Sequence, residues 1–119
     1  MSLFSVFEDH LEKSQSLDEL LIKNPPATYF FTAKSAAMAP YILENDILLI
    51  DRSLSAKHDQ IILANFQGEI ICRRIFFHNN GEVYLCTINK KYSAIKINKE
   101  EDDFTIWGVV RSIIRNENV

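Results

Sequence analysis

The sequence predicts a mostly-β domain, a small curled antiparallel sheet carrying one short N-terminal helix and a flexible arm. Three observations carry that prediction. Downstream of Pro25-Pro26 the helical period disappears, and β-branched and aromatic residues dominate in short runs. Turn-forming residues separate most of these runs. A chain of 119 residues with 47% hydrophobic and 11% aromatic residues also carries enough apolar surface for one core without disulfide or metal staples.

Residues 1–16 are polar with scattered Leu3, Phe4, Val6, Phe7 and Leu11, which predicts a mobile or loosely docked arm. Residues 17–119 form the domain proper. Leu17, Leu20 and Leu21 fall at helical spacing behind Ser16, a capping candidate, and Pro25-Pro26 stops the helix soon after Ile22. Strands follow at Thr28–Thr32, Asp46–Asp51, Gln60–Phe66, Glu69–Phe77, Glu82–Ile88, Ala94–Asn98 and Phe104–Arg115. Gln67-Gly68 and His78-Asn79-Asn80-Gly81 read as hairpin connections of two and four residues, so the third to fifth strands form a meander. Gly108 marks a bulge or bend in the last strand, which is expected to close the sheet. No fixed-period self-similarity suggests a solenoid or propeller.

Charge and motif spacing exclude several functions. With 13 basic and 16 acidic residues the formal charge is −3, so no global field favours nucleic acid or anionic membrane. Lys90-Lys91, Arg111 and Arg115 lack interleaved aromatics, which leaves direct nucleic-acid binding weak or absent. Apolar runs such as Ile47–Ile50 fall far below the roughly 20 residues of a membrane span. The N-terminus lacks the pattern of a secretory signal, and a cytoplasmic location is expected. Cys72 and Cys86, if Phe77 faces Glu82, project from opposite sheet faces and stay unbridged. Together with His10, His58 and His78 they show no metal-ligand spacing, and no cofactor is expected.

Asp46, Asp51, Asp59 and His58 read as turn residues, and Glu100-Glu101-Asp102-Asp103 as a solvated loop between strands. Arg73 and Arg74 are adjacent in a strand and therefore alternate in face. If Arg73 projects into a cleft, it should find a carboxylate or solvent.

Thr28-Tyr29-Phe30-Phe31, the loop Ser35-Ala36-Ala37-Met38-Ala39-Pro40-Tyr41-Ile42, Asp46–Asp51, the basic pair after Gly68-Glu69, Asn89 with Tyr92-Ser93-Ala94-Ile95, and Trp107-Gly108-Val109-Val110 occur in a telling order. In that order they resemble the serine-lysine self-cleaving peptidase domain shared by LexA, UmuD and phage repressors, over residues 9–115 with at most a one-residue gap near Pro40. Within it they are similar to the processed, UmuD-prime-like form. The resemblance implies a nucleophilic serine at position 37 and a general-base lysine at position 73, but this chain has Ala37 and Arg73. A methyl group has no lone pair with which to attack. Holding arginine neutral at pH 7 would take roughly 8 kcal/mol, so Arg73 stays charged.

The family's scissile Ala-Gly or Cys-Gly bond is also missing, since Gly68, Gly81 and Gly108 all lie in the β body. Met1 falls about where the processed form would begin, and the residues before Leu17 are too few for a helix-turn-helix. The resemblance therefore implies a non-catalytic accessory subunit. Such a subunit would form a homodimer and bind a UmuC-like Y-family polymerase in SOS translesion synthesis at RecA-coated single-stranded DNA. The alternative is an inactive dimerisation module that regulates self-cleavage of active homologues. Phe104, Ile106, Trp107, Val109 and Val110 are the candidate dimer contacts, on the expectation that the last strand is an unpaired edge.

Overall fold

The computed structural model describes residues 27–115. Seven strands, β1 (Thr28–Thr32), β2 (Ile47–Asp51), β3 (Ile61–Phe66), β4 (Glu69–Phe77), β5 (Val83–Cys86), β6 (Ile95–Lys96) and β7 (Phe104–Ile114), make one sheet in the order β1-β2-β7-β3-β4-β5-β6. Every pairing is antiparallel. No helix occurs among the described residues, and the predicted arm (1–16) and helix (17–22) lie outside them. No helix here is long and apolar enough to cross a membrane.

The β3-β4-β5 meander forms as expected. Gln67 and Gly68 both take positive φ, 51° and 83°, the left-handed pair that matches strand twist in a two-residue hairpin. The next hairpin differs from the prediction by one residue. Glu82 belongs to the turn: its N–H donates to Asn80 Oδ1 at 3.0 Å and its carbonyl accepts from His78 N–H at 2.9 Å. Phe77 therefore faces Val83, and Cys86 faces Arg74 rather than Arg73. Alternation then puts Cys86 on the same face as Cys72, not the opposite one. Both thiols are free, and burial pushes that of Cys72 up to about 12.

The expectation that the last strand closes the sheet is also corrected. β7 lies in the middle, bonded to β2 through Val109–Ile114 and to β3 through Phe104–Val109. It changes neighbour halfway along, and a register shift accompanies each half: Trp107 is the extra residue against β3 and Arg111 against β2. Of the candidate dimer contacts, Val109 is only 3% exposed within its own chain. Trp107 meets Tyr29 edge-to-face at 6.2 Å, and the Arg52 guanidinium lies 5.3 Å from its ring centre. Phe104 and Ile106 pack partly into the core, while Val110 borders a groove with Tyr41, Ile61 and Ile113.

Gly108 is required by close approach. A Cβ there would sit 2.6 Å from Ile50 Cγ2 and 3.0 Å from the Asp51 carbonyl oxygen. Gly108→Ala is expected to lose about 1–3 kcal/mol through overpacking. An unchanged urea midpoint would contradict that assignment.

The core has two halves because the sheet is apolar on both faces. Tyr29, Met38, Ile42, Leu48, Ile50 and Leu63 form one cluster, and Ile62, Ala64, Ile75, Val83, Leu85 and Val109 belong to the other. β3 feeds both, which is why Ile62, Leu63 and Ala64 are all fully buried in succession.

Candidate functional site

The long connection between β1 and β2 is held by its own backbone hydrogen bonds. Ala33 N–H donates to the Asp46 carbonyl and Asn45 N–H to the Ala33 carbonyl, both at 2.8 Å, so the loop is closed at its base. Asn45 sits at φ 77°, a conformation asparagine tolerates better than most residues. Inside the loop one helical turn forms from Ile42 N–H to the Met38 carbonyl at 3.0 Å. Met38 and Ile42 anchor that turn in the core at 2% and 1% exposure. The Ala39–Pro40 peptide is cis.

Asp46 holds the loop from beneath. It is 2% exposed and accepts from Leu43 N–H at 2.8 Å, the turn role expected of it. Its main partner leaves no local trace in the chain. Arg115, 69 residues away, donates through Nε to Oδ1 at 2.9 Å and through Nη2 to Oδ2 at 2.7 Å. This fork holds the Asp46 carboxyl below the usual range, its bonds outweighing the opposing effect of burial. The same guanidinium donates to the Tyr41 carbonyl at 3.4 Å, tying the loop to the end of β7.

A second clamp comes from the segment after β5. Asn89 donates through Nδ2 to the Ala36 carbonyl and through its N–H to the Ala37 carbonyl, each at 3.0 Å. Ala37 is thereby fully buried, and its N–H donates to Ser35 Oγ at 3.3 Å. Sequence reasoning placed Asn89 in the family pattern without assigning it this contact.

Between this loop and β4 lies a cavity of about 200 Å³. Ser35 and Met38 on one wall face it together with Cys72 and Arg73 on the other, and Lys34, Glu69 and Tyr92 also border it. The structure thus brings Arg73 to the same cavity as Ser35 and Met38, while Ala37 itself is fully buried and does not line it. Arg73 pairs with Ile62 across β3, and its Nη1 donates to the Cys72 carbonyl at 2.8 Å. Its Nε is buried without a hydrogen-bond partner. Burial depresses its pKa, partly offset by Cys72 and Tyr92. Of the carboxylate or solvent expected, no acidic group among the described residues lies within ion-pair distance of Arg73, and its half-buried side chain is left partly open to solvent.

The chemistry on offer is narrow. Ser35 and Tyr92 supply the hydroxyls of the cavity wall, and the exposed Lys34 the amine. Ser35 Oγ is taken up by the Ala37 amide, and no hydroxyl among the described residues is hydrogen-bonded to a lysine amine. The serine-lysine geometry of an acyl-transfer dyad needs that contact.

Residues read as turn formers do serve the frame. His58 Nδ1 accepts from Phe77 N–H at 3.0 Å, Asp59 forms an ion pair with Arg74, and Asp51 accepts from Ser53 and reaches Arg111 at 3.5 Å. Asp102 and Asp103, in the acidic run, bond to Gln67 and so brace the tip of the β3-β4 hairpin.

Comparison with known proteins agrees with this architecture. A Peptidase S24-like family model matches residues 2–111. The chain is 31% identical over 96 residues to the MucA proteins of Salmonella typhimurium and Escherichia coli, covering 80% of this chain and 64% of theirs. It is 30% identical over 111 residues to the LexA repressor of Idiomarina loihiensis, covering 92% of this chain and 53% of the repressor. The chain therefore spans less than two thirds of the length of these relatives. With a matching model over nearly its whole length and a sheet of the LexA/UmuD type, this chain belongs to the Peptidase S24-like family.

Proposed function

We propose that this domain is a non-catalytic, UmuD-prime-like accessory subunit that dimerises and binds an error-prone UmuC-like Y-family polymerase, serving translesion synthesis in the SOS response in the cytoplasm. The observation that carries the reading is the pair of residues at the two family positions: a fully buried Ala37 in the loop and a half-buried Arg73 on the cavity wall, where the resemblance implies a serine and a lysine. Neither a one-residue slip at Ala36 or Met38 nor one at Cys72 or Arg74 supplies the missing groups. Similarity to the UmuD-like MucA proteins supports the accessory branch of the family over the repressors.

Dimerisation is assigned to a revised surface. Past Val109, β7 is bonded to β2 alone among the described residues, so its β3-side flank over residues 110–114 has no strand neighbour among them beside the groove of Tyr41, Ile61 and Ile113. An open flank of this kind is satisfied by antiparallel pairing with a second copy about a two-fold axis. Phe104, Ile106 and Trp107 are secondary to it. Sedimentation is expected to show a particle of twice the chain mass. A monomer at high micromolar concentration would remove this part of the reading.

The partner is tested by retaining the chain on an immobilised UmuC-like polymerase and, in parallel, on an active UmuD homologue. The account expects retention by the polymerase at micromolar concentration. Mixed dimers with the homologue and no polymerase retention would instead identify a regulator of self-cleavage, with RecA filaments engaged only through the active partner.

A further inference from the structure

The chain carries a formal charge of −3, yet the surface where the β1-β2 loop meets the turn after β5 is basic. Lys34 stands on the loop, and Lys90 and Lys91 stand on the turn. Asn89 fixes the two pieces against each other: its side chain and N–H hold the Ala36 and Ala37 carbonyls, its Oδ1 accepts from Lys91 N–H at 3.0 Å, and its carbonyl accepts from Tyr92 N–H at 3.2 Å. The three lysines therefore share one rim. All are exposed, and none forms an ion pair with the acidic groups among the described residues. Arg73 lines the cavity beside this rim, where Glu69 is the one bordering carboxylate. The excess of cations sets up a positive field on an otherwise acidic molecule, to which Arg73 adds through space without being touched.

Tyr92 completes the patch. Its side chain is at the surface, with the residue 41% exposed, and it borders the cavity together with Lys34. Its N–H is held by the Asn89 carbonyl and its own carbonyl by Thr87 Oγ1 at 3.3 Å, so the backbone beneath the ring is fixed. Among the described residues the ring pairs with no other aromatic side chain. An acidic peptide would use the lysines and leave this ring idle, whereas a nucleotide uses both, phosphate on ammonium and base on ring. Lys90-Lys91 is a bare basic pair along the sequence, and only the fold joins it to Lys34 beside an open aromatic face.

We infer that this rim binds single-stranded nucleic acid, with phosphates on Lys34, Lys90 and Lys91 and one base stacked on Tyr92. Such contact is independent of base sequence, and it requires no polymerase.

The test is fluorescence anisotropy of a labelled oligothymidylate of about twelve nucleotides titrated with the full chain, repeated from about 20 to about 200 mM sodium chloride. Three phosphate contacts predict that log K falls with log salt at a slope of about −2, at roughly 0.7 for each phosphate on a single strand. Lys34→Gln, Lys90→Gln and Lys91→Gln should each make the slope shallower by about 0.7, and circular dichroism should match the wild type because the side chains are exposed. Tyr92→Ala should weaken binding about fivefold or more with the slope unchanged, and Tyr92→Phe should restore it. An abasic strand of equal length and an oligoglutamate of equal charge should each bind the wild type about fivefold or more weakly than the thymidylate. No binding at the lowest salt up to about 100 μM chain, or a slope indifferent to the lysines, would overturn the inference. So would an abasic strand or oligoglutamate that binds as tightly as the thymidylate, the latter marking the rim as a surface for an acidic protein.

Discussion

Asp46→Asn is expected to destabilise the domain by about 2–4 kcal/mol, the range for breaking a buried, hydrogen-bonded ion pair. The carboxylate is almost fully buried and accepts three hydrogen bonds, two of them in a fork from Arg115 and one from Leu43 N–H. An asparagine oxygen can still serve one donor, but its amide cannot accept the second arm of the fork. Because the Arg115 side chain is 36% exposed, its charge stays in contact with water when the carboxylate is removed, which keeps the effect toward the lower half of the range.

The same pair sets an acid limit. The Asp46 carboxyl is depressed in the folded state, first by its bonds to Arg115, so its stabilisation is complete above the unfolded carboxylate value of ~3.9. That contribution is lost as pH falls through the lower folded-state value. The variant should therefore be less stable than the wild type at pH 7, with the gap narrowing below about pH 4. Urea unfolding at several pH values measures both effects. A gap that stayed constant down to pH 2 would show that the carboxylate's charge does not contribute.

Arg73→Met is expected to act in the opposite direction, raising stability by about 1–2 kcal/mol. Replacing a buried charge by an apolar residue of similar volume is commonly neutral or stabilising, because the desolvation penalty disappears. Here the guanidinium is only half-buried, which limits the gain, but no carboxylate among the described residues compensates it and its buried Nε lacks a partner. The thioether would meet Met38, Ile42 and Cys72 across a cavity already apolar on those sides. A fall in thermal midpoint would show that the guanidinium contributes to folding through a contact stronger than its bond to the Cys72 carbonyl. A rise would mark Arg73 as a residue retained at the expense of stability, as residues at binding sites often are.

The strands were legible because a half-buried sheet leaves a local trace. β1 and β4 fall on Thr28–Thr32 and Glu69–Phe77 as the pattern of β-branched and aromatic residues predicts. The Gln67-Gly68 hairpin was legible for a related reason, since few residue pairs take two positive φ values in succession. Strand order was not. Whether Phe104–Ile114 lies at an edge or between β2 and β3 depends on contacts spanning much of the chain, and its residue pattern suits either place. The five-residue turn ending at Glu82 was missed because it depends on the Asn80 side chain bonding a backbone N–H, which shifts the register by one and reverses the inferred face of Cys86.

The candidate site divides in the same way. Ala37 and Arg73 were found from the order of local motifs, and the fold brings Arg73 to the cavity beside the Ala37 loop. Arg115 was read only as a stray basic residue, because nothing near it in sequence signals Asp46. Asn89 was recognisable as part of a pattern, but its grip on the Ala36 and Ala37 carbonyls emerges only when the segment after β5 folds over the loop.

The proposal that this cleft grips without cutting is decided by intact mass spectrometry. The chain is incubated with RecA, ATP and single-stranded DNA at about pH 7.5 and, without RecA, at about pH 10, where a lysine general base would lose its proton and an arginine would not. One uncut species is expected under both conditions. Fragments that appear with time and vanish in Ser35→Ala would contradict it.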